Sequence, residues 1–362
     1  MKAIVFTGYG VPEKVMELKD DIPVPSGYDT KDQVLVKVHA AAINPFDKLV
    51  MNGDMDLVTP IEGFPHVLSY DAAGVVSVAD SSGKWKVGDE VMFRLFAPSG
   101  EPNGTKTPYF RGAMAEYCVT SAEFCAKKPN NISFAEAASA PLAGLTALQC
   151  LRIAGTKEGS RVFISGGAGG VGSLAIQLAK NIFKASHVVT TASAGEKTDL
   201  CKSLGADEVI DYKSQKFEEI YSNNGSLLKE QFDVCLDCTG ESLKMVQVTK
   251  KGGRIICIFG MPTLEEIRAI GGESCILGLV IAKREARAEY KAALAAGIDW
   301  NYNFLKPSNA EIVELAKYME NGDVKAVIDN VWAAESATWR GAFDRLFSGR
   351  AKGKCVVQFV KD

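Results

Sequence analysis

The chain is predicted to be an α/β protein of two domains, an irregular β-barrel or sandwich followed by a doubly wound parallel sheet. Three observations predict this. Up to about residue 130, short β-rich runs (AIVFTGYG, QVLVKVHAAAI, AAGVVSVAD, DEVMFRLF, AEYCVT) are separated by Pro, Gly, Asp and Asn clusters. From ISFAEAASAPLAGLTALQCL onward, helical and strand patterns alternate. Within that second region a glycine-rich stretch, SGGAGGVG at 165–172, stands between an apolar run and an amphipathic one.

The elements of the second region read in order as strands RVFIS, SHVVTTA, DEVIDY, FDVCLDC, GRIICIFG and CILGLVIA, with helices between most of them. From about residue 306 the character changes again, to amphipathic helices in NAEIVELAKYMENG and WRGAFDRLF and an alternating strand, KCVVQFV. A length of 362 residues is enough for two hydrophobic cores. No internal repeat or long charge run interrupts them.

Composition narrows the function. With 47% hydrophobic and 23% charged residues the chain is typical of a soluble globular protein, and a net charge of −3 argues against a nucleic-acid partner. The nine cysteines are odd in number and sit mostly in apolar context, as free thiols in a reducing compartment do. No apolar stretch approaches the ~20 residues of a membrane span, and MKAIVFTGYG lacks the longer apolar core and cleavage site of a secretory signal. A cytoplasmic location without membrane contact is therefore expected.

In RVFISGGAGGVGSLAIQLAK, Gly167, Gly169 and Gly172 form G-x-G-x-x-G directly after a strand and at the opening of a helix, with Ala168, Gly170 and Val171 between them. Glycine here permits a tight turn, close approach of backbone N–H groups to a pyrophosphate, and close packing of helix on strand. The motif in this context predicts a dinucleotide. An NAD site normally has an acidic residue at the end of the next strand, to bind the ribose 2′-hydroxyl. Here the strand ends Thr191-Ala192-Ser193-Ala194, with no carboxylate before Glu196 and with Lys197 following, which favours the 2′-phosphate of NADPH. Lys197 taken alone reads equally as a solvated first-turn helix residue.

Ten stretches in order (AAINPFDKLVMNG, YDAAGVV, VGDEV, RGAMAEY, APLAGLTALQ, the glycine loop, LGADEVIDY, FDVCLDCTG, GGRIICIFG and SGRAKGKCVV) make the chain resemble the medium-chain dehydrogenase/reductase superfamily, in its zinc-free quinone oxidoreductase, zeta-crystallin-like branch. The resemblance implies a GroES-like catalytic domain from residues 1–132 and 306–362, and a Rossmann NADPH-binding domain from 133–305. It places the active site in a cleft between them. It also implies that Ser193, Lys197, Tyr212 and Arg350 hold the 2′-phosphate, and that Thr146, Phe259 and Gly260 line the nicotinamide. Read singly, Tyr212 is equally a strand-end aromatic and Arg350 a loop arginine in water.

Zinc-dependent relatives have a Cys where this chain has Asn44, and Gly-His-Glu where it has Ser69-Tyr70-Asp71. Residues 95–116 contain none of the cysteines of a structural zinc lobe, and His39, His66 and His187 are not at ligand spacing. Cys235 and Cys238 are expected to point to opposite faces of a strand. No metal is expected. Without a Lewis acid, hydride acceptors that carry their own electrophilicity are favoured, namely quinones and α,β-unsaturated carbonyls. Asn44 is the candidate catalytic contact to substrate or nicotinamide by resemblance, and from sequence alone is equally an Asn-Pro turn. Tyr70 is the second candidate, as proton donor or, preferably, pocket wall, while Asp47 reads as a carboxylate binding loop amides. The leading expectation is an NADPH-dependent quinone oxidoreductase. The alternatives are a 2-alkenal or enone reductase, and a non-enzymatic NADPH- or RNA-binding protein. ESCILGLVIA looks like an apolar edge strand, which predicts a homodimer or homotetramer.

Overall fold

The computed structural model describes residues 1–361 apart from 27, 29, 55–60, 62, 96–111, 222–229, 260–287 and 336. The chain divides into two compact units, one made of 1–145, 306–322 and 326–362, the other of 146–305 and 323–325.

In the first unit, strands β1 (Ala3–Phe6), β2 (Met16–Lys19), β3 (Gln33–Ile43), β4 (His66–Val67), β5 (Asp71–Val78), β6 (Glu90–Arg94), β7 (Tyr117–Ser121) and β8 (Cys125–Lys127) correspond to the short β-rich runs of the sequence. Alternation of small and branched apolar residues suits β3, which is almost wholly buried because it pairs on both edges and carries strands along its full length. Helix α1 (Pro12–Val15) follows β1, and α2 (Pro45–Asn52) follows β3. Pro45 sits at the first turn of α2, where its missing N–H costs nothing, and Gly53 ends the helix in the left-handed region at φ 82°. Helix α3 (Phe134–Ser139) opens with a capping box, Ser133 N–H donating to Glu136 Oε2 at 2.8 Å and Glu136 N–H to Ser133 Oγ at 3.2 Å. It packs on β3 and β5, so the first unit extends to Leu145, beyond the boundary at 132 expected from the sequence.

The second unit contains α4 (Pro141–Ile153) from Thr146 onward, then β9 (Arg161–Ile164), α5 (Gly170–Gln177), β10 (His187–Ala192), α6 (Glu196–Ser203), β11 (Glu208–Asp211), α7 (Phe217–Tyr221), β12 (Phe232–Asp237), α8 (Ser242–Met245), β13 (Thr249–Cys257) and β14 (Asp299–Tyr302). All six strands pair in parallel in the order β11-β10-β9-β12-β13-β14. Numbered within the unit this is 3-2-1-4-5-6, the Rossmann order, whose switch point lies between β9 and β12. Its core joins Phe163, Val189, Ile210, Phe232, Cys235 and Ile255 from five adjacent strands. Strand β14 had no counterpart in the sequence reading, and the expected strand CILGLVIA lies outside the described residues.

The chain then returns to the first unit with α9 (Asn309–Glu320), β15 (Ile328–Ala333), α10 (Arg340–Phe347) and β16 (Lys354–Gln358). These strands complete a seven-stranded sheet, β15-β16-β3-β5-β6-β8 with β7 also on β3, beside a three-stranded sheet β2-β1-β4. Strand β16 lies antiparallel to β3, Cys355 opposite Ile43, and so sets Lys354 next to the end of β3.

Candidate functional site

In the second unit the glycine loop leaves β9 and turns directly into α5. Gly166 N–H donates to Thr191 Oγ1 at 2.9 Å and Gly167 N–H to the Thr191 carbonyl at 3.0 Å, so the turn lies flat on β10. A Cβ on Gly167 would fall 2.1 Å from Thr190 Oγ1, and one on Gly172 would fall 2.3 Å from the Gly166 carbonyl oxygen. Only glycine fits at either place. Gly169 is the N-cap of α5, and Gly170, Val171 and Gly172 form its first turn, with backbone N–H groups that have no intrahelical acceptor. Ala168 is buried in the loop. Leu174 and Ala175 of α5, and Leu178 and Ala179 of the π-helical turn Leu178–Ile182 that continues it, are buried.

The structure gathers three predicted phosphate-binding residues at one edge. Ala192 on β10 is opposite Asp211 on β11, so Ser193 and Tyr212 are the residues that leave these neighbouring strands side by side. Lys197 lies in the first turn of α6. Tyr212 is 57% exposed and Ser193 and Lys197 are half-buried. Asp211, which ends β11, is turned onto its own loop, accepting from Lys213 N at 3.2 Å and Ser214 Oγ at 2.9 Å, and these bonds hold its carboxyl below the usual range, while Glu196 and Asp199 share the first turn of α6 with Lys197. Thr146 is buried in α4, and Phe259, 58% exposed, follows β13. Gly260 is outside the described residues. Arg350 is exposed and belongs to the first unit.

The carboxyl ends of β9 and β12 contain two residues the sequence reading passed over. Asp237, fully buried, accepts from the N–H groups of Thr239, Gly240 and Glu241 at 2.8–3.1 Å through Oδ1, and from Ser242 Oγ at 2.6 Å through Oδ2. Ser165 Oγ accepts from Cys238 N–H at 2.9 Å and lies 3.4 Å from Asp237 Oδ1. A carboxylate inside the apolar run FDVCLDC was the available signal.

In the first unit Asn44 and Tyr70 come together around a buried ionic cluster. Asn44 Nδ2 donates to Asp71 Oδ2 at 3.0 Å, while Lys354 Nζ donates to Asn44 Oδ1 and, at 3.0 Å, to Asp71 Oδ2. Asp71 Oδ1 accepts from Leu142 N–H at 2.8 Å. Asp47 accepts from Asn44 N–H at 2.7 Å and Ser69 N–H at 2.8 Å, which ties the start of α2 to the segment before β5. The left-handed Ser69, φ 71°, sends its hydroxyl to the Ala42 carbonyl at 3.0 Å. Burial pushes the Asp47 carboxyl up to about 7, against those N–H bonds and the Lys354 charge; burial also lowers Arg94 to about 10, against Asp71, Tyr70 and Asp47. Tyr70 is buried and meets Phe46 edge-on at 5.3 Å. Leu49 on α2 is 41% exposed.

Among the described residues no group of three His, Cys, Asp or Glu side chains is placed to hold a metal. His39 stacks on Phe134, His66 meets Phe6 edge-on and His187 lies 3.9 Å from Asp207, three separate places. Cys235 is buried against Thr249, and Cys238 lies just beyond the end of β12, in the loop that Asp237 organises. No described helix is long and apolar enough to cross a membrane.

Comparison with known proteins agrees with this architecture. Residues 30–130 match the alcohol dehydrogenase GroES-like domain, and residues 204–357 match a zinc-binding dehydrogenase domain. The chain is 37% identical over 361 residues to the 2-methylene-furan-3-one reductase of Solanum lycopersicum, covering 99% of this chain and 79% of that one. It is 35% identical over 360 residues to the chloroplastic NADPH-dependent alkenal/one oxidoreductase of Arabidopsis thaliana, with the same coverage of 99% and 79%. The solved quinone oxidoreductase of Coxiella burnetii superposes with a TM-score of 0.79 at 29% identity, covering 99% of both chains. A GroES-like unit, a parallel Rossmann sheet and relatives of this kind lead to one assignment: the chain is an oxidoreductase of the medium-chain dehydrogenase/reductase superfamily, in its quinone oxidoreductase-like branch.

Proposed function

We propose that the protein uses NADPH to reduce conjugated carbonyl compounds by hydride transfer, without zinc. The observation that carries the cofactor half is the edge at β10 and β11. The glycine loop leaves N–H groups free for a pyrophosphate, Ser193 follows β10 with Lys197 in the first turn of α6, Tyr212 follows β11, and the carboxylate that ends β11, Asp211, accepts from its own loop. Bound there, NADPH would supply the hydride. Gly167 and Gly172 keep the loop flat, Ser193 and Lys197 receive the 2′-phosphate, and Arg350 is proposed as a further phosphate ligand.

The ionic cluster supports the zinc-free half. A zinc site needs three or four Cys, His or carboxylate donors around an open centre. Here the oxygens of Asn44 and Asp71 already hold an ammonium, and Tyr70 packs on Phe46, so a zinc ion does not fit these residues. The chain's part in the reduction is then orientation, exclusion of water and a polar surround for the carbonyl oxygen as it gains charge. In this reading Tyr70 is a pocket wall. Asn44, both of whose amide groups are engaged by Asp71 and Lys354, orders the loop at the start of α2.

Enone or alkenal reduction is our first reading of the substrate, because the two relatives with the higher identities above are named for it. Quinone reduction is the second, supported by the solved quinone oxidoreductase. Initial rates of the metal-stripped protein with NADPH and with NADH, against a 2-alkenal, an ortho-quinone and a para-quinone, decide between them. Alkenal turnover with NADPH alone is expected. Quinone turnover exceeding it would select the second reading, and no turnover with any acceptor would remove both. Ser193→Asp is expected to lower kcat/KM for NADPH by about tenfold while sparing NADH, through repulsion of the 2′-phosphate. We also propose a homodimer or larger homo-oligomer; light scattering showing only monomer at micromolar concentration would remove it.

A further inference from the structure

We propose that Asp237 is a positioning residue that aligns the nicotinamide half of the dinucleotide site and leaves the adenosine half untouched. The inference deepens the cofactor reading above and rests on it. Asp237 and Ser165 leave β12 and β9 side by side, since Leu236 is opposite Ile164, and these two strands flank the switch point of the sheet. In a sheet of this order a ligand lies outside the carboxyl ends of the strands at that point.

A fully buried carboxylate must be compensated by donors, and Asp237 is compensated entirely by one loop and its neighbours. Three successive N–H groups, of Thr239, Gly240 and Glu241, converge on Oδ1, and the Ser242 hydroxyl at the start of α8 reaches Oδ2. Together they fix the backbone of residues 238–242. Gly240 within it has φ 83°, and a Cβ there would fall 2.8 Å from the Phe259 ring, so the loop supports the exposed aromatic that follows β13. On the β13 side, Cys257 Sγ lies 3.7 Å from Asp237 Oδ2 and 2.7 Å from the Phe259 carbonyl oxygen. On the β9 side, Ser165 ties Cys238 N–H to the residue from which the glycine loop begins. One carboxylate therefore links the ends of three adjacent strands, β9, β12 and β13. Ser193 and Tyr212, just beyond β10 and β11, and Lys197 on α6 take no part in these bonds.

Asp237→Asn keeps the shape but replaces one acceptor oxygen by an NH2 group, which cannot receive either the backbone N–H groups or the serine hydroxyl. The test compares two ligands by calorimetry: NADPH, which spans both halves, and adenosine 2′,5′-bisphosphate, which occupies the adenosine half alone. For Asp237→Asn the Kd of NADPH is expected to rise about tenfold or more, and that of the bisphosphate to stay within about twofold. Ser165→Ala, a gentler change, is expected to shift NADPH in the same direction by a smaller factor, and decides the matter if Asp237→Asn does not fold. Equal weakening of both ligands would show that Asp237 only maintains the fold, and unchanged NADPH binding would show that the loop does not depend on it; either result overturns the proposal. Wild-type protein that binds neither ligand would instead overturn the cofactor reading.

Discussion

Lys354 gives up nearly all its hydration to lie between Asn44 and Asp71, and its side chain is only 5% exposed. Truncating one partner of such a pair leaves the other charge buried without compensation, which costs about 3–5 kcal/mol. Lys354→Met is expected to destabilise the protein by that order in urea unfolding, and Lys354→Met with Asp71→Asn to recover part of it. A single variant as stable as wild type would mean that the ammonium is not needed. Asp47 has a different signature. Burial holds its folded-state carboxyl at about 7, well above the ordinary aspartate range, so the folded state binds more protons across that interval and stability falls as pH rises through it. The slope from this one group is at most about 1.4 kcal/mol per pH unit. Urea midpoints between pH 4.5 and 7.5 should flatten in Asp47→Asn by that contribution, and an unchanged profile would contradict the assignment.

The turn from β9 into α5 depends on two glycines for different reasons. A methyl group on Gly167 meets the side chain of Thr190, whereas one on Gly172 meets the backbone of Gly166 and Gly167. Overpacking of this kind costs about 1–3 kcal/mol. Gly167→Ala should therefore be relieved in part by Thr190→Ala, although that change also loses the 2.6 Å bond from Thr190 Oγ1 to the Ile164 carbonyl. Gly172→Ala should gain nothing from it. Melting temperatures of the two single and two double variants check this, and equal rescue of both would refute the geometric distinction. At this scale the sequence was readable wherever the pattern was strong: β9, β10 and β12 and the end of β13 are mainly apolar, and α9 and α10 have clear periodicity. Strand β14, Asp-Trp-Asn-Tyr, is short and half polar; its place comes from pairing with β13, which no local pattern reveals.

For the whole molecule, NADPH at a hundred times its Kd should add about 2.7 kcal/mol to stability, and NADH at the same concentration much less. A thermal shift equal for the two would contradict the assignment at Ser193 and Lys197. Legibility was uneven here too. The edge proposed for the cofactor was legible because the glycine loop and the tip of β10 are close in sequence. The ionic cluster could not, because its ammonium and its amide are 310 residues apart and meet only through the pairing of β16 with β3. Asp237 lay in plain view, but its role is to collect N–H groups whose directions are a property of the folded loop.

The position of β16 also has a consequence for how the protein is made. The second unit is almost entirely one continuous stretch, residues 146–305, whereas the first is split around it. A ribosome adds about 5–20 residues per second, so β3, with Asn44 just beyond its end, leaves the tunnel on the order of tens of seconds before the strand that carries Lys354. Throughout that interval the edge of β3 that β16 will cover is unpaired, and the acidic cluster lacks its ammonium. The first unit therefore completes its sheet only after the second unit's continuous stretch has been made.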